Sequence, residues 1–118
     1  MNIDMLKTKA EALTKSKVDP NMLNALKNII RICKKKNISL FIVYSPIFHS
    51  MNEKQSPPSI TAKLSLEIIN QEKVNYCDFS YDPVFAGRMD LFADISHLNE
   101  DGAKVFSKML INKIRQNN

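Results

Sequence analysis

Ile38-Ser39-Leu40-Phe41-Ile42-Val43-Tyr44 is the stretch on which the fold turns. It is almost continuously apolar, rich in β-branched and aromatic residues, and stopped by Ser45-Pro46. A strand with one wet face alternates apolar and polar residues, and this one does not. It is therefore expected to be buried on both faces, the habit of parallel strands covered by helices.

Upstream, Asp19-Pro20 is a helix start, with Asp as N-cap and Pro at the first helical position. Met22, Leu26, Ile29, Ile30 and Cys33 then recur at helical spacing. The helix is predicted to end at Lys34-Lys35-Lys36, where cations suit the helix dipole, with Asn37 as its cap. Residues 1–18 are set apart as an N-terminal connector, in which residues 3–16 could form a short lysine-rich helix. Downstream, residues 47–58 read as a polar loop closing on Pro57-Pro58. A second helix is predicted from Ser59 to Lys73, with Ile60, Leu64 and Ile68 on one face, and a second strand from Val74 to Phe79. Residues 80–98 read as a long irregular loop, and long loops in small domains are candidate functional segments. Asn99 caps a last helix with Glu100 and Asp101 in its first turn, and Ala103, Phe106, Leu110 and Ile114 supply its buried stripe.

The order helix, strand, helix, strand, helix predicts an α/β fold with two parallel strands and right-handed crossovers. Two parallel strands make an incomplete sheet, so further strands are expected from a longer chain or from oligomerisation. A lone monomer of this make-up is expected to be only marginally stable.

The 118 residues suffice for one domain, and 44% hydrophobic with 25% charged residues excludes disorder and collagen-like structure. The longest apolar run, Leu40 to Tyr44, is too short to span a bilayer. Met1 to Ala10 lack the apolar centre of a signal peptide, which predicts a soluble chain and leaves its compartment open. The net charge of +5 is uneven: residues 1–66 hold 11 Lys/Arg against 4 Asp/Glu, and residues 67–101 hold 2 against 8. The bases lie on predicted helix faces and ends without interleaved aromatics, so no nucleic-acid partner is expected. Cys33 and Cys77 show no Cys-x-x-Cys spacing and read as free thiols, a disulfide being the alternative.

The chemistry lies in Leu91-Phe92-Ala93-Asp94-Ile95-Ser96-His97-Leu98-Asn99-Glu100-Asp101-Gly102-Ala103. Asp94 and His97 stand three apart just before a capped helix. At that spacing the carboxylate can accept a hydrogen bond from one ring nitrogen, fix the tautomer and leave the other nitrogen as a general base. On spacing alone, an exposed loop histidine beside a local aspartate is the favoured reading. Ser45, at the carboxyl end of the strand, precedes Pro46 and lacks the glycine elbow of a nucleophile. Ser96 adjoins His97 and is read as a loop hydrogen-bonder, and His49 as an exposed loop histidine. Asp90, Asp94 and His97 do not have metal-ligand spacing, so neither metal nor cofactor is expected. Phe79, Tyr81, Phe85 and Phe92 flank the long loop and are read as its anchors to the core, a substrate wall being the alternative that can hold beside it.

Asp-x-x-His-Leu-Asn-x-x-Gly-Ala before an amphipathic helix resembles the last block of the SGNH/GDSL esterase–lipase superfamily. The resemblance implies a three-layer, flavodoxin-like α/β sandwich of which residues 19–118 are the C-terminal half. It makes Asp94 the triad aspartate and His97 the triad base. Leu98 and Asn99 then fall on packing and helix-cap positions, and Gly102-Ala103 on the first turn of the final helix. The pair from Leu23 to Ser45-Pro46 looks like the family's penultimate helix and strand. The family's N-terminal Gly-Asp-Ser nucleophile motif has no counterpart here, since Gly87 and Gly102 are the two glycines and neither precedes Asp-Ser. The oxyanion glycine and the Gly-x-Asn-Asp block are missing too. By resemblance the intact enzyme acts on an acyl ester such as an O-acetylated glycan, with the serine from an N-terminal half, and the parent protein is exported. This chain alone is expected to be inactive. The alternative is a non-enzymatic α/β module that pairs through its sheet edge with another chain or with itself.

Overall fold

The computed structural model describes residues 18–117. Its elements are α1 (Pro20–Lys35), β1 (Phe41–Tyr44), α2 (Ile60–Gln71), β2 (Asn75–Asp78), 3₁₀ turns at Pro83–Phe85 and Met89–Leu91, β3 (Phe92–Asp94), β4 (His97–Leu98) and α3 (Glu100–Gln116). The described residues thus form a mixed α/β fold with three helices and a small parallel sheet of β1 and β2. The segment 3–16 lies outside the described residues. Two compact units are present: residues 18–43 with 56–77, and residues 44–55 with 78–117.

In the first unit both helices start and stop by the same devices. Asp19 caps α1, its carboxylate accepting the Asn21 N–H at 2.9 Å, and the Ser59 hydroxyl caps α2 by accepting the Ala62 N–H at 3.1 Å. Each helix ends in a Schellman motif. Asn37, at φ 57°, donates to the Lys34 carbonyl, and Ile38 donates to Cys33 at 2.8 Å. Lys73, at φ 55°, donates to Asn70, and Val74 donates to Ile69. Each motif turns the chain straight into the following strand. That use of Ile38 is why β1 begins at Phe41 rather than at Ile38.

α1 packs on α2 with Ile30 and Ile69 fully buried, and Lys34 pairs with Glu72 at 2.5 Å. The apolar arc of α1 is wider than the face it buries. Leu23, Leu26, Ile30 and Cys33 turn inward, whereas Met22 and Ile29 of the expected stripe remain exposed, as does Ile60 on α2. The expectation that β1 is buried on both faces is not met. Phe41, Ile42 and Val43 are only half-buried, because the sheet has two strands instead of a covered set.

The second unit is built round Phe85, Leu91 and Phe92, with Phe48, Leu98, Val105, Phe106 and Met109 packed against them. Edge-to-face rings order this core: Phe48 on Phe92 at 5.7 Å and Phe79 on Phe106 at 5.2 Å. Full burial, as of Phe85 and Phe92, contributes about 1.5–3 kcal/mol per side chain. Residues 80–98 are not the irregular loop expected. Asp82 caps the first 3₁₀ turn, Met89–Leu91 forms the second, and β3 and β4 close an antiparallel hairpin. Among the described residues there are therefore four strands in two separate pairs rather than two strands. What hid them is length: the strands are two and three residues long, too short for any period to show.

α3 sits against the second 3₁₀ turn. The Asn99 side chain accepts the Gly102 N–H at 2.9 Å, while its amide donates to the Asp90 carbonyl at 2.7 Å. Gly102 is required by closeness: a Cβ there would lie 2.0 Å from the Leu91 carbonyl oxygen. Ala103, expected in the buried stripe, is exposed, and Val105, Phe106 and Met109 face the core.

Candidate functional site

Asp94 is the last residue of β3 and His97 the first of β4, so the hairpin sets them opposite one another. Ile95 and Ser96 make the turn, and Ile95 is buried, which pins the turn to the unit's core side. His97 Nδ1 lies 2.8 Å from Asp94 Oδ1 and 3.0 Å from Oδ2. A carboxylate only accepts, so Nδ1 carries the proton, and in the neutral ring the lone pair is on Nε2. Asp94 Oδ1 also accepts the Ser96 N–H at 2.9 Å, an Asx turn that fixes the carboxylate from the other side. Hydrogen bonding from His97, and then from the Ser96 amide, holds the Asp94 carboxyl below the ordinary carboxylate value. The His97 side chain is 73% exposed and that of Asp94 41%, so the pair stands open to solvent. Ion pairs this exposed add little to stability. What the arrangement provides is an oriented imidazole with an accessible basic nitrogen.

The structure brings Asp94 and His97 together, and of the other candidates Ser96 alone among the described residues hydrogen-bonds to them. Ser96 reaches the ring, with Oγ 3.2 Å from His97 Nδ1, but on the nitrogen already given to Asp94. A nucleophile must meet the other nitrogen, so Ser96 is a hydrogen-bonder of the turn. Ser45 is exposed, and no hydrogen bond among the described residues joins it to His97. Asp90 is engaged by Arg88 in a two-pronged pair, Nε to Oδ1 at 2.9 Å and the second nitrogen to Oδ2 at 2.8 Å. That partner lowers the Asp90 carboxyl and raises the Arg88 guanidinium. Among the described residues no three of His, Cys, Asp and Glu converge as metal ligands. Cys33 and Cys77 are free, half-buried thiols. Among the described residues, no helix is long and apolar enough to cross a membrane.

His49 is not the exposed loop histidine expected: it is buried at 4% exposure. Its ring lies 4.9 Å from that of Tyr81, and its Nδ1 is 3.1 Å from the Ile47 carbonyl oxygen. The backbone explains the burial. The Ile47 N–H donates to Ser80 at 3.1 Å, the Phe48 N–H to Ile95 at 2.7 Å, and the His49 carbonyl accepts the Gly87 N–H at 2.7 Å. These three bonds draw residues 47–49 into the unit. The signal that could have revealed this is the apolar pair Ile47-Phe48 in a stretch otherwise read as polar loop.

No family model, curated protein or solved structure matches the chain.

Proposed function

We propose that residues 19–118 are the C-terminal half of an SGNH-type ester hydrolase or acyl-transfer enzyme, with a flavodoxin-like three-layer sandwich as the complete fold. His97 is its general base and Asp94 the carboxylate that orients it. The observation that carries this reading is the two-oxygen contact of Asp94 with His97 Nδ1, which leaves Nε2 basic and accessible.

In the reaction, His97 Nε2 takes the proton of a serine hydroxyl as its oxygen attacks the ester carbonyl. Asp94 stabilises the imidazolium so formed, and His97 returns the proton to the departing alkoxide, releasing the alcohol. Water, or an acceptor hydroxyl, then repeats the sequence on the acyl-serine and frees the acid or the transferred ester. A positioned base contributes about 10²–10⁴-fold, so the larger share belongs to the serine and the oxyanion donors. Both are assigned to a segment carrying Gly-Asp-Ser that is not in this sequence, and the chain alone is inactive. An acetyl ester on a glycan is the proposed substrate class. The test is to express the coding region extended upstream of the Met1 codon and to assay p-nitrophenyl acetate hydrolysis. Turnover lost in His97→Ala supports the reading; turnover that survives it contradicts the reading.

A second reading, a non-enzymatic module that self-associates or pairs with another chain, is favoured by the half-buried strands of the two-stranded sheet and by exposed Met22, Ile29 and Ile32. It predicts a dimer or larger species in light scattering that tolerates Asp94→Asn and His97→Gln.

A further inference from the structure

We propose that His49 is a positioning residue for the Asp94–His97 dyad, acting through a hydrogen-bonded chain that passes along two peptide groups. The dyad's catalytic meaning rests on the reading above; the chain itself stands on geometry alone.

The chain has four links. His49 Nδ1 donates to the Ile47 carbonyl at 3.1 Å. The other end of that same peptide group, the Phe48 N–H, donates to the Ile95 carbonyl at 2.7 Å. The other end of the Ile95 peptide, the Ser96 N–H, donates to Asp94 Oδ1 at 2.9 Å. Asp94 then accepts from His97 Nδ1 at 2.8 Å. The first three bonds point donor to acceptor toward the carboxylate. Each peptide group accepts at its oxygen and donates at its nitrogen, so each is polarised in the sense that strengthens its neighbours. The negative end of the chain is the group that orients the base.

The chain needs a donor at its far end, and the side chain there is fixed in place. His49 is buried, its ring against Tyr81, and a carbonyl can only accept, so the bond to Ile47 requires the proton on Nδ1. The Ile47–Phe48 peptide is thereby held in the plane that presents Phe48 N–H to Ile95. Phe48 is itself packed edge-on against Phe92 at the start of β3. The hairpin turn is thus gripped twice by the same residue, once through its ring and once through its amide. His49 touches none of the reacting groups and acts only through the position and polarity of Ser96 N–H and Asp94.

The test uses the full chain and two substitutions that separate ring from donor. His49→Phe keeps an aromatic ring on Tyr81 and removes the Nδ1–H; His49→Asn removes the ring and places an amide N–H near the Nδ1 position. Amide exchange of Phe48 and Ser96 is read by NMR together with the titration of the Asp94 carboxyl. In His49→Phe both amides are expected to exchange roughly tenfold faster, as for loss of one net hydrogen bond, and the Asp94 titration to move up toward the ordinary carboxylate value. His49→Asn restores both. Unchanged amides in His49→Phe, or equal loss in His49→Asn, would overturn the proposal. Should the Phe variant not fold, the unmodified chain still decides: a His49 proton on Nε2 alone breaks the first link and overturns it, and a proton on Nδ1 with a through-bond coupling from Phe48 N–H to the Ile95 carbonyl supports it. None of these readouts needs turnover, so a failed hydrolase assay leaves them standing, and their failure leaves the assay of His97 untouched.

Discussion

Asp94 and His97 face each other across the two-residue turn of the β3–β4 hairpin, with both carboxylate oxygens within 3.0 Å of His97 Nδ1. The turn itself supplies a second hold on the carboxylate through the Ser96 amide. The pair's geometry is therefore a local property of residues 92–98. It does not wait for a completed sheet.

Replacing Asp94 separates orientation from folding. In the extended protein, Asp94→Asn is expected to lower ester hydrolysis by about 10²–10⁴-fold, since an amide no longer imposes the Nδ1–H tautomer. The melting temperature of the chain should barely change, because the pair is exposed. A large fall in melting temperature would show that the pair serves folding instead.

The acid side of the stability profile follows from the two lowered carboxyls. Asp94 and Asp90 both titrate below the ordinary aspartate value in the folded chain, Asp94 through His97 and the Ser96 amide, Asp90 through Arg88. A depressed folded value means stability that is fully present above the unfolded value, about 3.9, and lost as pH falls through the folded values. Carbon-detected titration should show His97→Ala moving Asp94 up while Asp90 stays. Movement of both would place the two carboxyls in one coupled cluster.

Gly102→Ala should be destabilising although alanine is the better helix former. The gain in propensity is about 1 kcal/mol. Against it stands a Cβ at 2.0 Å from the rigid Leu91 carbonyl oxygen, and overpacking of this kind costs about 1–3 kcal/mol or more. Urea denaturation should show a net loss. An equal or higher midpoint would mean that α3 slides freely over the Met89–Leu91 turn.

Lys73→Gly should act in the opposite sense. Lys73 holds φ 55° at the end of α2, where a side chain costs about 1 kcal/mol that glycine does not. A rise in the urea midpoint is the expected outcome. A fall would mean that the lysine side chain stabilises the helix end by more than the strain.

Phe85→Ala should remove about 3–5 kcal/mol, since the ring is completely buried between Leu91 and Phe92. Against a total stability of order 5–15 kcal/mol this is enough to unfold much of the second unit. Tryptic cleavage within residues 78–98 reports it directly, and an unchanged digest would contradict this view of the core.

The parts legible in the sequence are those with strong local chemistry. Asp19-Pro20, Ser59 and Asn99 mark helix starts because a cap needs only one side chain and one amide, and all three act as N-caps. Asp94 and His97 are legible because a turn of two residues brings them together whatever surrounds them. What escaped depends on contacts distant in sequence. The burial of His49 comes from backbone bonds to Ser80, Gly87 and Ile95, none of which a period can announce. The depth of β1 is not legible because an apolar run reports what a strand is suited to. It does not report how many strands and helices cover it.

Whether Asp94 orients the base is decided by a long-range proton–nitrogen correlation of the His97 ring in the intact chain at neutral pH. A protonated Nδ1 and an unprotonated Nε2 are expected, shifting toward Nε2–H in Asp94→Ala. A neutral ring that carries its proton on Nε2 in the unmodified chain would contradict the oriented base, and with it the proposed chemistry.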